Sequence, residues 1–407
     1  MGMGVKHAVD LSDPKTFVSG VPYEYFRELQ EHAPVHWQPE CKIPGAPQGN
    51  GYWALTRYED VAFVSKNPKL FSSGVGTSVM TDLPPRDAEN MRQQLINMDP
   101  PLHTQLRKVM SPHFKPRIVQ TTEEHTRRIV VETLDRLEGR TECDFVEGVS
   151  APVSLRALTH FLGVPDKHSK YFYKWTNQLI GSSDPDVSSA FRGRMAVLQI
   201  LIYGAFLARK RRKRPEDDIF SSLVHGRVDG KAIDRLKLGM NFFLLIIAGN
   251  ETTRNALSGG VKALSDHPEQ FELLKQEPTL LPQAIDEMLR FSTPVMQFRR
   301  TATEDIEIRG QTIRKGEKIV VYYGAANRDP EIFPNPDVFD ITRRDETHLA
   351  FGTGTHFCVG SHMARLEMRV TLEELLERFP NLRVSGPVQR LASNFINGVT
   401  SMPVSLQ

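Results

Sequence analysis

The chain has 407 residues, 25% of them charged and 40% hydrophobic, with 51 basic against 49 acidic side chains and a formal net charge of +2. That balance excludes a disordered chain and gives no cationic bias of the kind nucleic-acid binding needs. Three cysteines (Cys41, Cys143 and Cys358) are too few and too scattered for a disulfide framework or a zinc knuckle, which fits a reducing, cytoplasmic setting.

In chain order, Met1–Ala8 holds no apolar run, and Lys6 stands where a myristoylation signal needs Ser or Thr, so no membrane anchor is predicted. Residues through Trp37 read as helix and turns, and Gly51–Arg57 alternates like a strand. Phe71–Asp87, rich in Gly, Ser, Thr and Pro, reads as a long loop. From His103 to about Lys275 the pattern is mostly helical, broken at Pro112, Pro165 and Pro215. At its start His103 and Arg107 are spaced i, i+4 and share a helix face. The basic run Arg209–Arg214 is followed at once by Glu216, Asp217 and Asp218, and reads as a solvated helix end favoured by the dipole.

The longest apolar stretch, Leu238–Gly249, falls well short of the ~20 residues that span a bilayer. It belongs to an amphipathic helix predicted over Asp234–Asp266. There Gly249 is a poor helix residue, and Thr252 and Thr253 can bond back to carbonyls. Glu287 and Arg290, at i, i+3, can pair along one helix face. Ile306–Ile308 and Lys318–Tyr322, with Gly310 and Gly316 between and beside them, read as strands. The predicted class is mainly α with smaller β-sheets.

Cys358 follows a glycine-punctuated loop and precedes the helical segment that begins at Ser361. A helix N-terminus biases a cysteine toward thiolate, and Gly352, Gly354 and Gly360 leave room for a large flat group to approach. These features suggest a metal ligand. A buried cysteine acting as a small hydrophobe, or a nucleophile paired with a distant histidine, would also fit a lone cysteine. The spacing Phe351-x-x-Gly354-x-His356-x-Cys358-x-Gly360, continued by Ala364 and Glu367, resembles the haem-binding loop of the cytochrome P450 family.

The resemblance runs nearly end to end and implies one catalytic domain, 1–407, with the cytochrome P450 fold, although length alone would suggest two or three domains. It looks like the soluble bacterial type. It implies haem b held by Cys358 as the metal ligand, with dioxygen as co-substrate. Ala248–Thr253 resembles the family's oxygen-binding stretch, in which Thr252 would hydrogen-bond iron-bound oxygen and Glu251, more often Asp, would help deliver protons. His103, Arg107, Arg300 and His356 match the partners of the haem propionates, with Arg299 one residue away. Glu287, Arg290 and Arg343 match a structural ion-pair motif that would hold the cysteine loop in register.

Family matches place the substrate pocket at the Gly74–Leu83 loop, Leu244, Ile247, Ala248, Val295, Met296, Phe298, Phe395 and Ile396. These are mostly apolar, so a hydrophobic small molecule is expected. Lys108, His113, Lys115, Arg117, Arg365 and Arg369 would form a basic face that steers an acidic ferredoxin. No flavin or iron–sulfur domain is fused, so a separate ferredoxin and ferredoxin reductase are expected. Asn250–Asn255, Arg299–Asp305 and Ser393–Gly398 look like the branch that hydroxylates terpene alcohols and other apolar chains. The expected reaction is hydroxylation of an unactivated C–H, a methyl of a monoterpenoid such as linalool. Terminal hydroxylation of a fatty, isoprenoid or steroid side chain is the alternative, and a non-monooxygenase haem-thiolate enzyme or a haem sensor represents other classes.

Overall fold

The computed structural model describes residues 9–43, 46–181, 190–344 and 347–407, so the expectation for Met1–Ala8 lies outside the described residues. Seven helices position the site: α1 (Leu102–Met110), α2 (Ala151–Phe161), α3 (Ser169–Gly181), α4 (Ala190–Lys213), α5 (Arg235–Asp266), α6 (Leu281–Ser292) and α7 (Ser361–Arg378). The class is mainly α with small sheets, as the sequence predicts.

Helix α5 is the axis. Asp234 caps it by accepting from the Lys237 amide, and α2, α4, α6 and α7 pack around it. The sequence suggests an amphipathic helix, but its second half, from Asn250 to Leu264, is buried almost all round because neighbours cover several of its faces. The helix runs unbroken through Gly249. A Cβ there would meet Leu158 Cδ1 at 2.6 Å, so glycine lets α2 and α5 approach closely.

Five strands form the main sheet: β1 (Val35–Gln38), β2 (Tyr52–Leu55), β3 (Phe71–Ser72), β4 (Gln297–Ala302) and β5 (Lys318–Tyr322). Their spatial order is β1-β2-β5-β4-β3, with only the β2–β5 pair parallel. Two of them run against the sequence reading, and β4 is a strand that it does not assign. Val35–Gln38 sits in the segment read as helix and turns, yet it pairs with β2 from Val35 opposite Leu55 to Gln38 opposite Tyr52. Phe71–Ser72 opens the predicted loop as an edge strand on β4, and a helix, Pro85–Met91, closes it. Both are decided by distant partners rather than by local pattern.

The basic run also departs from its reading. Arg211 is 1% exposed, pairs with Asp218 at 2.7 Å and with Glu216, and donates to the Gly163 carbonyl at 2.7 Å. It ties the end of α4 to the turn after α2, while Arg209, Arg212 and Lys213 remain exposed.

Glu287 and Arg290 of α6 meet in a two-point pair, both contacts 2.7 Å, and Arg343 reaches the same carboxylate at 3.3 Å. Arg290 also donates to the carbonyls of Asn327 and Pro336, and Arg343 to that of Pro334. The cluster therefore grips residues 327–343. Its link to the cysteine loop is indirect, through the Asn327 side chain, which accepts from the Leu349 amide at 2.6 Å. Glu287→Ala would leave Arg290 buried without its counter-charge, at a cost of about 3–5 kcal/mol. A marked fall in the urea midpoint of the purified protein is the expected result.

Candidate active site

Cys358 lies between the turn Gly354–His356 and the start of α7. Its amide donates to the Phe351 carbonyl at 2.9 Å, closing the loop. Burial pushes the thiol up, against the Gly360 N–H and the charges of Arg107 and Arg365, which pull it down. The helix-end bias toward thiolate is therefore present, but burial outweighs it, and a metal cation at the sulfur is what would favour the thiolate.

The glycines do different jobs. Gly352 and Gly360 border the cavity, whereas Gly354 does not. Gly354 has φ +69°, and a Cβ there would run into the Ser65 carbonyl at the end of the helix Tyr58–Lys66. It serves the packing of the loop rather than a clear approach to the sulfur. From α1, Arg107 donates to the carbonyls of Phe357 at 2.7 Å and Thr355 at 3.3 Å and fastens the loop from the other side.

The structure brings His103, Arg107, Arg300 and His356 together. The His103 and His356 rings lie 4.4 Å apart. Burial, then the neighbouring positive charges, hold His356 well below its ordinary value, and burial with Arg107 lowers His103 to about 4. Alternation along β4 puts Arg299 and Arg300 on opposite faces. Arg299 finds Asp82 at 2.7 Å. Arg300, 2% exposed, donates to the Arg299 carbonyl at 2.7 Å.

Asp99 is the acid near this group, and it is occupied by the Ser72 hydroxyl and by the Ser73 amide at 2.8 Å. Neither ring nitrogen of His103 has a partner among the described residues. Neutral-held imidazoles and a buried guanidinium without a paired carboxylate fit a ligand that carries carboxylates of its own. The residues present therefore fit a haem with its two propionates.

Cys358 opens onto a cavity of about 230 Å³. Leu244, Ala248, Thr252, Val295 and Phe298 line it. Ile247 does not, and packs instead in the apolar cluster of α2 and α5. Met296 also points away, into a core with Tyr52 and Tyr322, because alternation sets it opposite Val295. Phe395 and Ile396 stand one layer back, Phe395 edge-on to Phe298 at 5.4 Å and Ile396 bridged to Val295. The Gly74–Leu83 loop does not reach the cavity; Leu95 and Ile96, which no sequence signal singles out, line it instead.

On α5, the Thr252 hydroxyl donates to the Ala248 carbonyl at 2.5 Å and borders the cavity. Glu251 is buried and turned away, accepting from Arg254 at 2.5 Å and from Asn250 at 2.8 Å. Burial, opposed by Arg254, raises its carboxyl to about 7. The i, i+3 spacing of Glu251 and Arg254 would have been the signal for that pair. Glu367 borders the cavity with one carboxyl oxygen unpartnered, and burial pushes it well above the carboxylate range.

Outside the cavity, the expected basic face is smaller than its sequence. Arg365 pairs with Asp286 at 2.8 Å, and Arg369 with Glu123 at 2.6 Å and Glu373 at 3.0 Å. His113 meets the Ser222 hydroxyl at 2.7 Å, while Lys108, Lys115 and Arg117 stay exposed.

Gly354→Ala would place a side chain at a left-handed backbone position and against the Ser65 carbonyl. We expect a cost of about 1–3 kcal/mol, from the backbone strain alone, read as a lowered Tm with loss of order confined to the cysteine loop.

A profile of the Cytochrome P450 family matches residues 205–396. A steroid C26-monooxygenase of Rhodococcus jostii is 37% identical over 403 residues, covering 97% of this chain and 84% of that protein. A linalool 8-monooxygenase of Pseudomonas putida is 35% identical over 405 residues, covering 98% of each. Among solved structures, a Mycobacterium marinum cytochrome P450 in complex with pseudoionone superposes with a TM-score of 0.89 at 35% identity, covering 94% of each chain. Likeness of this extent, over nearly the whole length, places the chain in the cytochrome P450 family of monooxygenases.

Proposed function

We propose that this enzyme hydroxylates an unactivated C–H, a methyl at the end of a branched apolar chain, in a hydrophobic molecule. The observation that carries the reading is the shared wall: Cys358 and Thr252 border one cavity whose other lining is mostly apolar, with His103, Arg107, His356 and Glu367 among its titratable members. Among the described residues the cavity wall carries no carboxylate-binding cation beyond the cluster that haem would use, so hydrophobic contact and shape must orient the substrate. A steroid C26 position and position 8 of linalool are each methyls at the end of a branched chain. Linalool is the smallest candidate of that kind, and steroid, isoprenoid and fatty side chains are the larger ones.

Haem b, when bound through the Cys358 thiolate, supplies the activation of dioxygen. His103, Arg107, Arg300 and His356 would hold its propionates, the two guanidiniums supplying positive charge and the neutral imidazoles hydrogen bonds, and Glu287, Arg290 and Arg343 keep the segment before the loop in place. Leu244, Ala248, Val295 and Phe298 exclude water and hold the substrate, with Phe395 and Ile396 supporting them.

Protons reach the cavity wall along α5. Asn177, exposed on α3, meets Arg254 at 3.4 Å, and Arg254 holds the Glu251 carboxyl; because Glu251 bonds Arg254 and Asn250 rather than Thr252, its side chain must swing away from Arg254 toward the cavity to deliver a proton. A carboxyl with a pKa near 7 both takes and gives a proton at neutral pH. Electrons come from a separate ferredoxin and its reductase, steered by the exposed Lys108, Lys115 and Arg117, and the enzyme works in the cytoplasm as one catalytic domain.

The first test is the carbon monoxide difference spectrum of the reduced protein. The strongly red-shifted band of a thiolate-ligated carbonyl haem is expected, and Cys358→Ala should abolish it. A histidine-type band in the unaltered protein would overturn the assignment of Cys358. Spin-state titration with linalool, steroids and methyl-branched fatty acids then selects the substrate, and a preference for charged, non-branched ligands would count against the proposed class.

The proton route gives a second expectation. Below pH 7 Glu251 is mostly protonated and can donate; above it the carboxylate is held by Arg254. Product formed per electron consumed should fall as pH rises through about 7. Glu251→Gln should flatten that dependence, and Thr252→Ala should leave electron consumption running while product formation drops. Unchanged product per electron in Thr252→Ala would sink the role given to Thr252.

A further inference from the structure

Helix α4 has two apolar faces, and the fold uses one of them. The inner face buries Ala196, Ile200, Leu207 and Arg211 against α3, α5 and the helix Ile219–His225. The outer face carries Phe191, Met195, Leu198, Ile202 and Phe206, at i, i+4, i+7, i+11 and i+15. All five are exposed, from 38% at Met195 to 71% at Phe191. At 3.6 residues per turn they fall within about 80° of arc and run for about 22 Å. By length and composition α4 is long and apolar enough to cross a bilayer. Its inner face is committed to the protein, so the helix can only lie along a surface.

The charges say which surface. The 24 residues of α4 include no Asp or Glu. Helical geometry sets Arg209 and Lys213 on the continuation of the apolar line, Arg194 and Arg212 along one edge, and Lys210 along the other. All five are exposed, Lys210 with Glu216 at 3.8 Å. Helix α3, packed beside α4, adds exposed Lys170, Tyr171 and Lys174.

A second copy of the chain is a poor match. An antiparallel two-fold contact would set Arg209, Lys210 and Lys213 of one copy against Arg194 of the other, and a parallel one would align like with like. An anionic bilayer offers what both parts of this face need: headgroup phosphates for the cations and the acyl boundary for the aromatic and aliphatic stripe.

We propose that α4 docks the enzyme reversibly on the surface of a membrane rich in anionic lipid, lying in the interface plane with Phe191, Met195, Leu198, Ile202 and Phe206 inserted. Among the described residues the stripe's one ring contact is Phe206 with Tyr203 at 6.4 Å, and removing the stripe leaves the buried face of α4 intact.

The test uses the haem-loaded protein and sedimentation with vesicles of phosphatidylglycerol mixed with phosphatidylcholine, against vesicles of phosphatidylcholine alone. Binding to the anionic vesicles, weakened by salt and weak on the neutral ones, is expected. Arg209→Gln and Lys213→Gln should each lower the partition coefficient about fivefold, and Ile202→Glu with Phe206→Glu should abolish binding. The carbon monoxide spectrum of every variant should match that of the parent, showing the fold intact. No binding to anionic vesicles, or binding indifferent to these substitutions, overturns the proposal. So does a dimer in sedimentation velocity that Ile202→Glu dissolves, which would assign the stripe to a second copy. Loss of ferredoxin-driven turnover in the same variants would assign it to the electron donor and overturn it equally.

Discussion

Arg300 is out of water, with the Arg299 carbonyl as its hydrogen-bond acceptor, and two imidazoles beside it are held neutral. A guanidinium in such a place costs several kcal/mol unless an anion joins it. The chain has an acid within reach, Asp99, but spends it on the Ser72 side chain and the Ser73 amide. The cluster is thus kept short of negative charge by the same hydrogen bonds that shape the loop after β3. A ligand with carboxylates supplies the missing charge, which couples its binding to the stability of the folded chain.

The second buried cluster solves the opposite problem. Glu287, Arg290 and Arg343 satisfy one another and five backbone carbonyls of residues 327–338. Nothing is left over for a ligand, and the result is rigidity: a segment with little regular structure is held in one arrangement and passes that restraint through Asn327 to Leu349, just ahead of the cysteine loop. One cluster is closed and positions; the other is open and binds.

Helix α5 separates chemistry by rotation. Thr252 faces the cavity, while Glu251, its neighbour, faces Arg254 and Asn250 in the protein interior. Consecutive helical residues point about 100° apart, so the two groups meet different environments. The hydroxyl stays at an apolar wall, and the carboxyl is tuned near neutrality by burial against a charge. Helix α4 uses rotation too, with one face in the core and one in solvent.

Local spacing made much of the site legible in the sequence. The loop Phe351–Gly360 before a helix marks Cys358, the i, i+4 pair marks His103 with Arg107, and the i, i+3 pair marks Glu287 with Arg290. The helices and three of the strands, Tyr52–Leu55, Ile306–Ile308 and Lys318–Tyr322, also follow from composition and period. What local pattern lacks is the partner across space. Whether Arg299 or Arg300 faces the cation cluster depends on the register of β4 against β5, where Arg299 lies opposite Val320 and Arg300 opposite Ile319. Arg365 and Arg369 lose their free charge to Asp286, Glu123 and Glu373, the first two far away in sequence. Val35–Gln38 becomes a strand because Tyr52–Leu55 lies beside it. Met296 leaves the cavity because a pleat turns it into the core. The sequence by itself determined which chemical groups the site contains, since motifs are short-range. Tertiary structure decided which of them face one another, since pairing, register and burial are set by residues that meet only when the chain has folded.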